Sequence, residues 1–116
     1  MEKIAASDLL EILRQGDEIA VIDIRPQEEF IRGQLLASVN VPYDRLDIEA
    51  YQRIPRRSVR ICIVAGSEAE AEKSVERLSA LGYAHVDILQ DGLASWSSLG
   101  LPLFEDVNAE SKCFGE

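Results

Sequence analysis

The sequence predicts an α/β domain: a mainly parallel central sheet of about five strands with helices on both faces. Three observations predict it. Compact β-branched runs alternate with segments of helical periodicity, the links between them are short, and the 116 residues have the proportions of one globular domain, 47% hydrophobic and 28% charged. A chain of this length buries roughly two-thirds of its unfolded surface, enough to form a core.

The elements follow in order. Ser7-Asp8-Leu9-Leu10-Glu11-Ile12-Leu13 offers a capping residue and then apolar positions at helical spacing, with Gly16 as a stop, so a helix is expected over 8–15. Ile19-Ala20-Val21-Ile22-Asp23-Ile24 is a β-branched run ended by Arg25-Pro26, where proline cannot continue a ladder; it reads as a buried strand. Pro26 suits the first helical position and Glu28 and Glu29 suit the first turn, which predicts a short helix closing at Gly33. A brief strand is expected over 37–42, then a helix over 44–51 with Leu46, Ile48 and Tyr51 as its apolar residues. Val59-Arg60-Ile61-Cys62-Ile63-Val64 is the strongest strand. Ala65-Gly66-Ser67 breaks that pattern, and a helix over 68–81 follows with Ala71, Val75, Leu78 and Leu81 on one face and Gly82 at the stop. A last strand over 85–89, a turn at Asp91-Gly92 and a short helix over 93–97 complete the domain.

In a parallel α/β sheet, ligands sit beyond the carboxyl ends of the strands. The turn after Val64 is therefore the place to look for chemistry, since there the most apolar strand meets the longest helix. From about Glu105 the pattern dissolves, so residues 1–104 are expected to form the domain and 105–116 a tail or linker toward a following domain.

Twelve Lys and Arg against 21 Asp and Glu give a net charge of −9, which opposes phosphate backbones and anionic lipid; neither nucleic acid nor membrane is an expected partner. No apolar run approaches the roughly 18 residues a membrane span needs, and Met1-Glu2-Lys3-Ile4 lacks the features of a secretory leader, so the cytoplasm is the expected location. The two cysteines, Cys62 and Cys113, are too few for a disulfide scaffold. With no Cys-x-x-Cys and only His85 as a histidine, no metal site is expected, nor any cofactor.

The ordered set Val21-Ile22-Asp23-Ile24-Arg25-Pro26-Gln27-Glu28-Glu29-Phe30, Gly33 through Pro42, Leu81-Gly82-Tyr83, Val86-Asp87-Ile88-Leu89, Asp91-Gly92-Leu93-Ala94-Ser95-Trp96 and Gly100-Leu101-Pro102 resembles the rhodanese (sulfurtransferase) homology domain. The resemblance covers nearly all of 4–103. It implies the family's α/β fold and a cysteine nucleophile at the end of the fourth strand, opening a six-residue loop whose backbone N–H groups cradle an anion and hold a persulfide. Counting back from Leu81-Gly82 puts Ala65 in the cysteine's place, with the loop as Ala65, Gly66, Ser67, Glu68, Ala69 and Glu70. An alanine methyl has neither a lone pair nor a proton to lose. The loop and following turn supply Glu68, Glu70 and Glu72 with no basic residue before Lys73, a poor match to an anionic substrate, and no Cys-x5-Arg pattern supports phosphatase chemistry. Gln34 and Leu35-Leu36 depart from the family's usual His and Ile-Pro, and Asp91 stands where the family commonly has glycine.

Each remaining candidate has a plain reading beside a functional one. Cys62, inside a strand, reads as a buried, inert thiol rather than a displaced nucleophile, and Cys113 as incidental. The glutamates suit a helix dipole and solubility better than a partner-binding acidic knob or a cation site. Asp23 and Arg25, accessory to the site in active relatives, are expected to be structural here. His85 reads as a satisfied or exposed residue, Trp96 as a core anchor, and Arg53, Arg56, Arg57 and Arg60 as a solvated, internally paired cluster.

The functional expectation is a catalytically inactive rhodanese-like module of a larger sulfurtransferase-related protein, similar to the first module of bacterial proteins with several rhodanese domains in series. Its partners would be adjacent rhodanese-type domains, a protein partner or a second copy. The alternative is thiosulfate or persulfide sulfur transfer through Cys62 or Cys113. Anion binding by the loop backbone without catalysis is a third class.

Overall fold

A computed structural model describes residues 2–35 and 37–104. Its centre is a five-stranded sheet in the order β1-β5-β4-β2-β3, every pairing parallel. The strands are β1 (Glu2–Ile4), β2 (Ile19–Asp23), β3 (Ser38–Asn40), β4 (Arg60–Val64) and β5 (Val86–Leu89). The helices are α1 (Ala6–Gln15), α2 (Gln27–Arg32), α3 (Leu46–Arg53), α4 (Glu68–Ala80) and α5 (Gly92–Ser98), with a 3₁₀ turn at Tyr43–Arg45 leading into α3.

Successive residues of a strand point to opposite faces, and this alternation divides the core in two. Ile22, Ile61, Ile63 and Ile88 pack with Leu46 and Ala50 of α3 and Ala71, Val75 and Leu78 of α4. Val21, Cys62, Val64 and Leu89 pack on the other face with Leu9 of α1 and Trp96 of α5. Both faces of β2, β4 and β5 are covered, which is why their sequences read as nearly continuous apolar runs. No helix among the described residues is long and apolar enough to cross a membrane.

The α/β class and parallel sheet agree with the sequence reading, and α4 keeps its expected start and apolar face. Pro26 is the N-cap of α2 rather than its first helical residue, other boundaries move by one or two residues, and three further details differ. Strand β1 had no counterpart among the expected elements, because three residues carry too little alternation to register; it becomes a strand only by pairing with β5, Lys3 opposite Ile88. Helix α1 begins at Ala6, so Ala5 is its N-cap and Ser7 lies inside the first turn with no capping role; burial of Ala6 draws the helix start forward. In α3 the buried residues are Leu46 and Ala50, one turn apart, whereas Ile48 and Tyr51 are 63% and 51% exposed. At 100° per residue, Ile48 lies on the opposite side of the helix from the Leu46–Ala50 stripe. The expected tail over 105–116, with Cys113, lies outside the described residues.

Candidate functional site

Beyond the carboxyl ends of β1, β5 and β4 lies a cleft of about 250 Å³. It opens where adjacent strands send their connections to opposite faces: β4 leads into α4 on one side and β5 into α5 on the other. Such a switch point leaves a crevice because no crossover helix covers it. Its floor is apolar, with Ala65, Ala71, Ile88 and Leu89, and its rim carries Lys3, Ser67, Glu68 and Asp91.

Ala65 directly follows β4 and its side chain packs partly against the α3/α4 core. Its carbonyl is met closely from α5: a Cβ added at Gly92 would lie 2.9 Å from the Ala65 oxygen, and Gly92 has φ +55°. Glycine is therefore required at 92 for both space and backbone angle. Asp91 is itself left-handed at φ 59° and makes no side-chain cap to α5. Aspartate tolerates that conformation better than most residues, which lets it stand where the resembling family uses glycine.

Of the six expected loop positions, Ala65, Gly66 and Ser67 form the turn, while Glu68, Ala69 and Glu70 are the first turn of α4. Ser67 is the N-cap: its Oγ accepts from the Glu70 N–H at 3.2 Å and its carbonyl accepts from the Ala71 N–H at 3.1 Å. The Glu70 N–H, one of the free backbone donors at the start of α4, is thus engaged by the cap, while the Ala71 bond is the first of the helix's own ladder. Glu68 and Glu70 stand in that turn, where the dipole favours carboxylates. The Glu68 carboxylate accepts from Lys3 of β1 across the rim, and this bond, with the charges of Glu68, Glu72 and Asp91, raises the Lys3 pKa above the ordinary lysine value.

Asp23 and Arg25 sit beside this turn rather than in the cleft. Arg25 Nη2 donates to Asp23 Oδ2 at 2.7 Å and to the Gly33 carbonyl at 2.5 Å, and the Arg25 N–H donates to Asp23 Oδ1 at 3.0 Å. A Cβ at Gly66 would lie 3.9 Å from Arg25 Cγ, so the arginine stem supports the turn from beneath. Asn40 Nδ2 donates to the carbonyls of Asp23 and Arg25, tying β3 to the same corner. At the departures near 34–36, Gln34 pairs with Phe104 through two backbone bonds and Leu35 is buried.

Cys62 is fully buried on the α1/α5 face of β4, and burial, with the nearby Asp87 carboxylate, pushes its thiol up to about 12. A thiol there is neither ionised near neutrality nor accessible from the cleft. It is the only cysteine among the described residues. Trp96 is buried and its Nε1 donates to the Pro102 carbonyl at 3.3 Å, while His85 is exposed. Each arginine of the basic cluster has an internal partner: Arg53 with Glu49, Arg56 with Glu18, Arg57 with the Leu81 carbonyl and Arg60 with Asp87. Lys3 and Gly92 are the site residues that sequence reasoning missed. The Asp91-Gly92 pair carried the turn signal that could have pointed to Gly92, whereas nothing local marks Lys3.

The architecture matches known proteins throughout. A thiosulfate sulfurtransferase from Pseudomonas aeruginosa superposes with a TM-score of 0.86 at 35% identity, over 99% of this chain but 22% of that one. The Alr3790 protein from Anabaena superposes at 0.84 with 20% identity, covering 96% and 99% of the two chains, a likeness of fold. The uncharacterized protein YibN of Escherichia coli is 24% identical over 88 residues, and protein BU052 of Buchnera aphidicola 30% over 93; this chain spans 62% and 61% of their lengths. The family model for the rhodanese-like domain matches residues 5–99, and with the five-stranded parallel sheet and the cleft beyond β4 this places the chain in the rhodanese-like domain family.

Proposed function

We propose that this chain is a catalytically silent rhodanese-like module that serves a larger sulfurtransferase-related protein as a structural or interaction unit. The observation that carries the reading is Ala65 at the end of β4, on the floor of the cleft, where the family resemblance calls for the nucleophilic cysteine. Sulfur transfer from thiosulfate needs a thiolate to attack the sulfane sulfur, forming a persulfide as the S–S bond breaks and sulfite leaves with the electron pair. A methyl group does not take the first step, and Cys62 is buried on the far side of the strand with its thiol protonated. Coverage of 22% of the Pseudomonas enzyme at 35% identity supports a setting among further domains, and adjacent modules of that kind are the proposed partners.

Intact-protein mass after incubation with thiosulfate tests the reading, on this chain and on an Ala65→Cys variant, with peptide mapping of any added sulfur. The expected result is an unmodified wild type and one labile sulfur at position 65 in the variant. Sulfur on Cys62 or Cys113 of the wild type would overturn it in favour of the alternative enzyme.

A further inference from the structure

The ion pair between Lys3 and Glu68 joins residues 65 apart in sequence, and both line the cleft. Lys3 belongs to β1, an edge strand of three residues held in the sheet by β5 alone. Glu68 is the first residue of α4, immediately after the Ala65-Gly66-Ser67 turn. The bond therefore runs from the sheet edge to the helix that walls the opposite side of the cleft. Two features hold Glu68 there: the Ser67 cap fixes the start of α4, and the helix dipole favours its carboxylate. The neighbouring rim carboxylate, Asp91, offers Lys3 a second negative charge and Glu72 a third, so the ammonium is retained among anions.

We propose that the Lys3–Glu68 ion pair is a strap across the cleft mouth that limits access to position 65. The proposal deepens the silent-module reading and rests on its placement of position 65 in the cleft. Both partners are partly exposed, so the strap is salt-sensitive and opens often; pairs of this kind alter an equilibrium by about two- to fivefold.

An Ala65→Cys variant places a reporter thiol on the cleft floor, and alkylation by neutral iodoacetamide reads access to it. Rates are followed by peptide mapping and extrapolated from their pH dependence to the fully ionised thiol. Lys3→Met and Glu68→Gln are each added to the reporter. A strap predicts that both substitutions raise the rate at position 65 by about two- to fivefold, and that 0.5 M salt raises the parent's rate while leaving the two variants unchanged. A simple charge effect on the thiol gives the opposite sign for Lys3→Met, since loss of a cation raises the thiol pKa and lowers the observed rate at neutral pH. An unchanged or slower extrapolated rate in Lys3→Met overturns the strap and leaves the silent-module reading standing. A thiol at position 65 that no variant exposes to the reagent, in a chain that alkylates fully when unfolded, overturns both.

Discussion

Arg25 grips Asp23 through both of its carboxylate oxygens, two residues along the chain, and hands its remaining Nη2 bond to the carbonyl of Gly33. The carboxylate is fully buried, at the end of β2, and the arginine side chain is only 11% exposed. One bidentate pair thus joins β2, the end of α2 and the underside of the Ala65-Gly66 turn.

Arg25→Ala leaves that buried carboxylate with a backbone N–H as its remaining donor. Removing one partner of a buried pair costs about 3–5 kcal/mol, more than the pair itself contributes over an apolar replacement. Urea unfolding checks this: the midpoint is expected to drop with the m-value unchanged. A loss below 1 kcal/mol would show that water readily satisfies Asp23.

Gly92→Ala and Gly16→Ala separate steric from conformational cost. Both positions have positive φ, but a Cβ at Gly16 meets nothing within 4 Å whereas one at Gly92 meets the Ala65 carbonyl. Gly16→Ala is expected to cost about 1 kcal/mol, the left-handed penalty alone. Gly92→Ala should cost about 2–3 kcal/mol and shift the amide resonances of the Ala65-Gly66-Ser67 turn, which Gly16→Ala leaves in place.

The exposed face of α3 makes Ile48→Ser a near-neutral change, within about 0.5 kcal/mol, despite the loss of a large apolar side chain. Leu78→Ala in α4 deletes a fully buried side chain from the core against β4 and is expected to cost about 2–5 kcal/mol. Thermal or urea unfolding of the two variants side by side tests which residues form the core.

Burial raises the Cys62 thiol from 9.0 to about 12, so between those values the native state holds a proton that the unfolded chain has released. Stability from this group is complete below pH 9 and is lost as pH climbs toward 12, with a slope approaching 1.4 kcal/mol per pH unit. Tyr83, also raised by burial, contributes in the same direction. The difference between wild type and Cys62→Ala cancels Tyr83, and unfolding at pH 8 and pH 10.5 should show the smaller decline in the variant. Equal declines would mean that the thiol is not shielded as its burial requires.

The chain's local patterns suffice for most of the elements because their causes are local. Val59 to Val64 is apolar and β-branched, Ser67 caps the helix that follows, and Gly16 ends α1 in the left-handed conformation that only glycine adopts freely. The absence of a thiol at position 65 is likewise a matter of residue identity. Periodicity alone did not say which side of α3 is buried, since Ile48 and Tyr51 are as apolar as the residues that are; contact with α4 and the sheet made the choice.

Long-range pairing decided the rest. β1 exists because β5 binds it, the strand order sets β5 between β1 and β4, and only that order sets Lys3 across from Glu68 and Gly92 against the Ala65 carbonyl. A sequence determines by itself what each segment prefers and which chemical groups it owns, because backbone sterics, capping and hydrophobic period act over a few residues. Which groups meet is settled by burial summed over the whole sheet, and so the cleft and its rim belong to the tertiary structure.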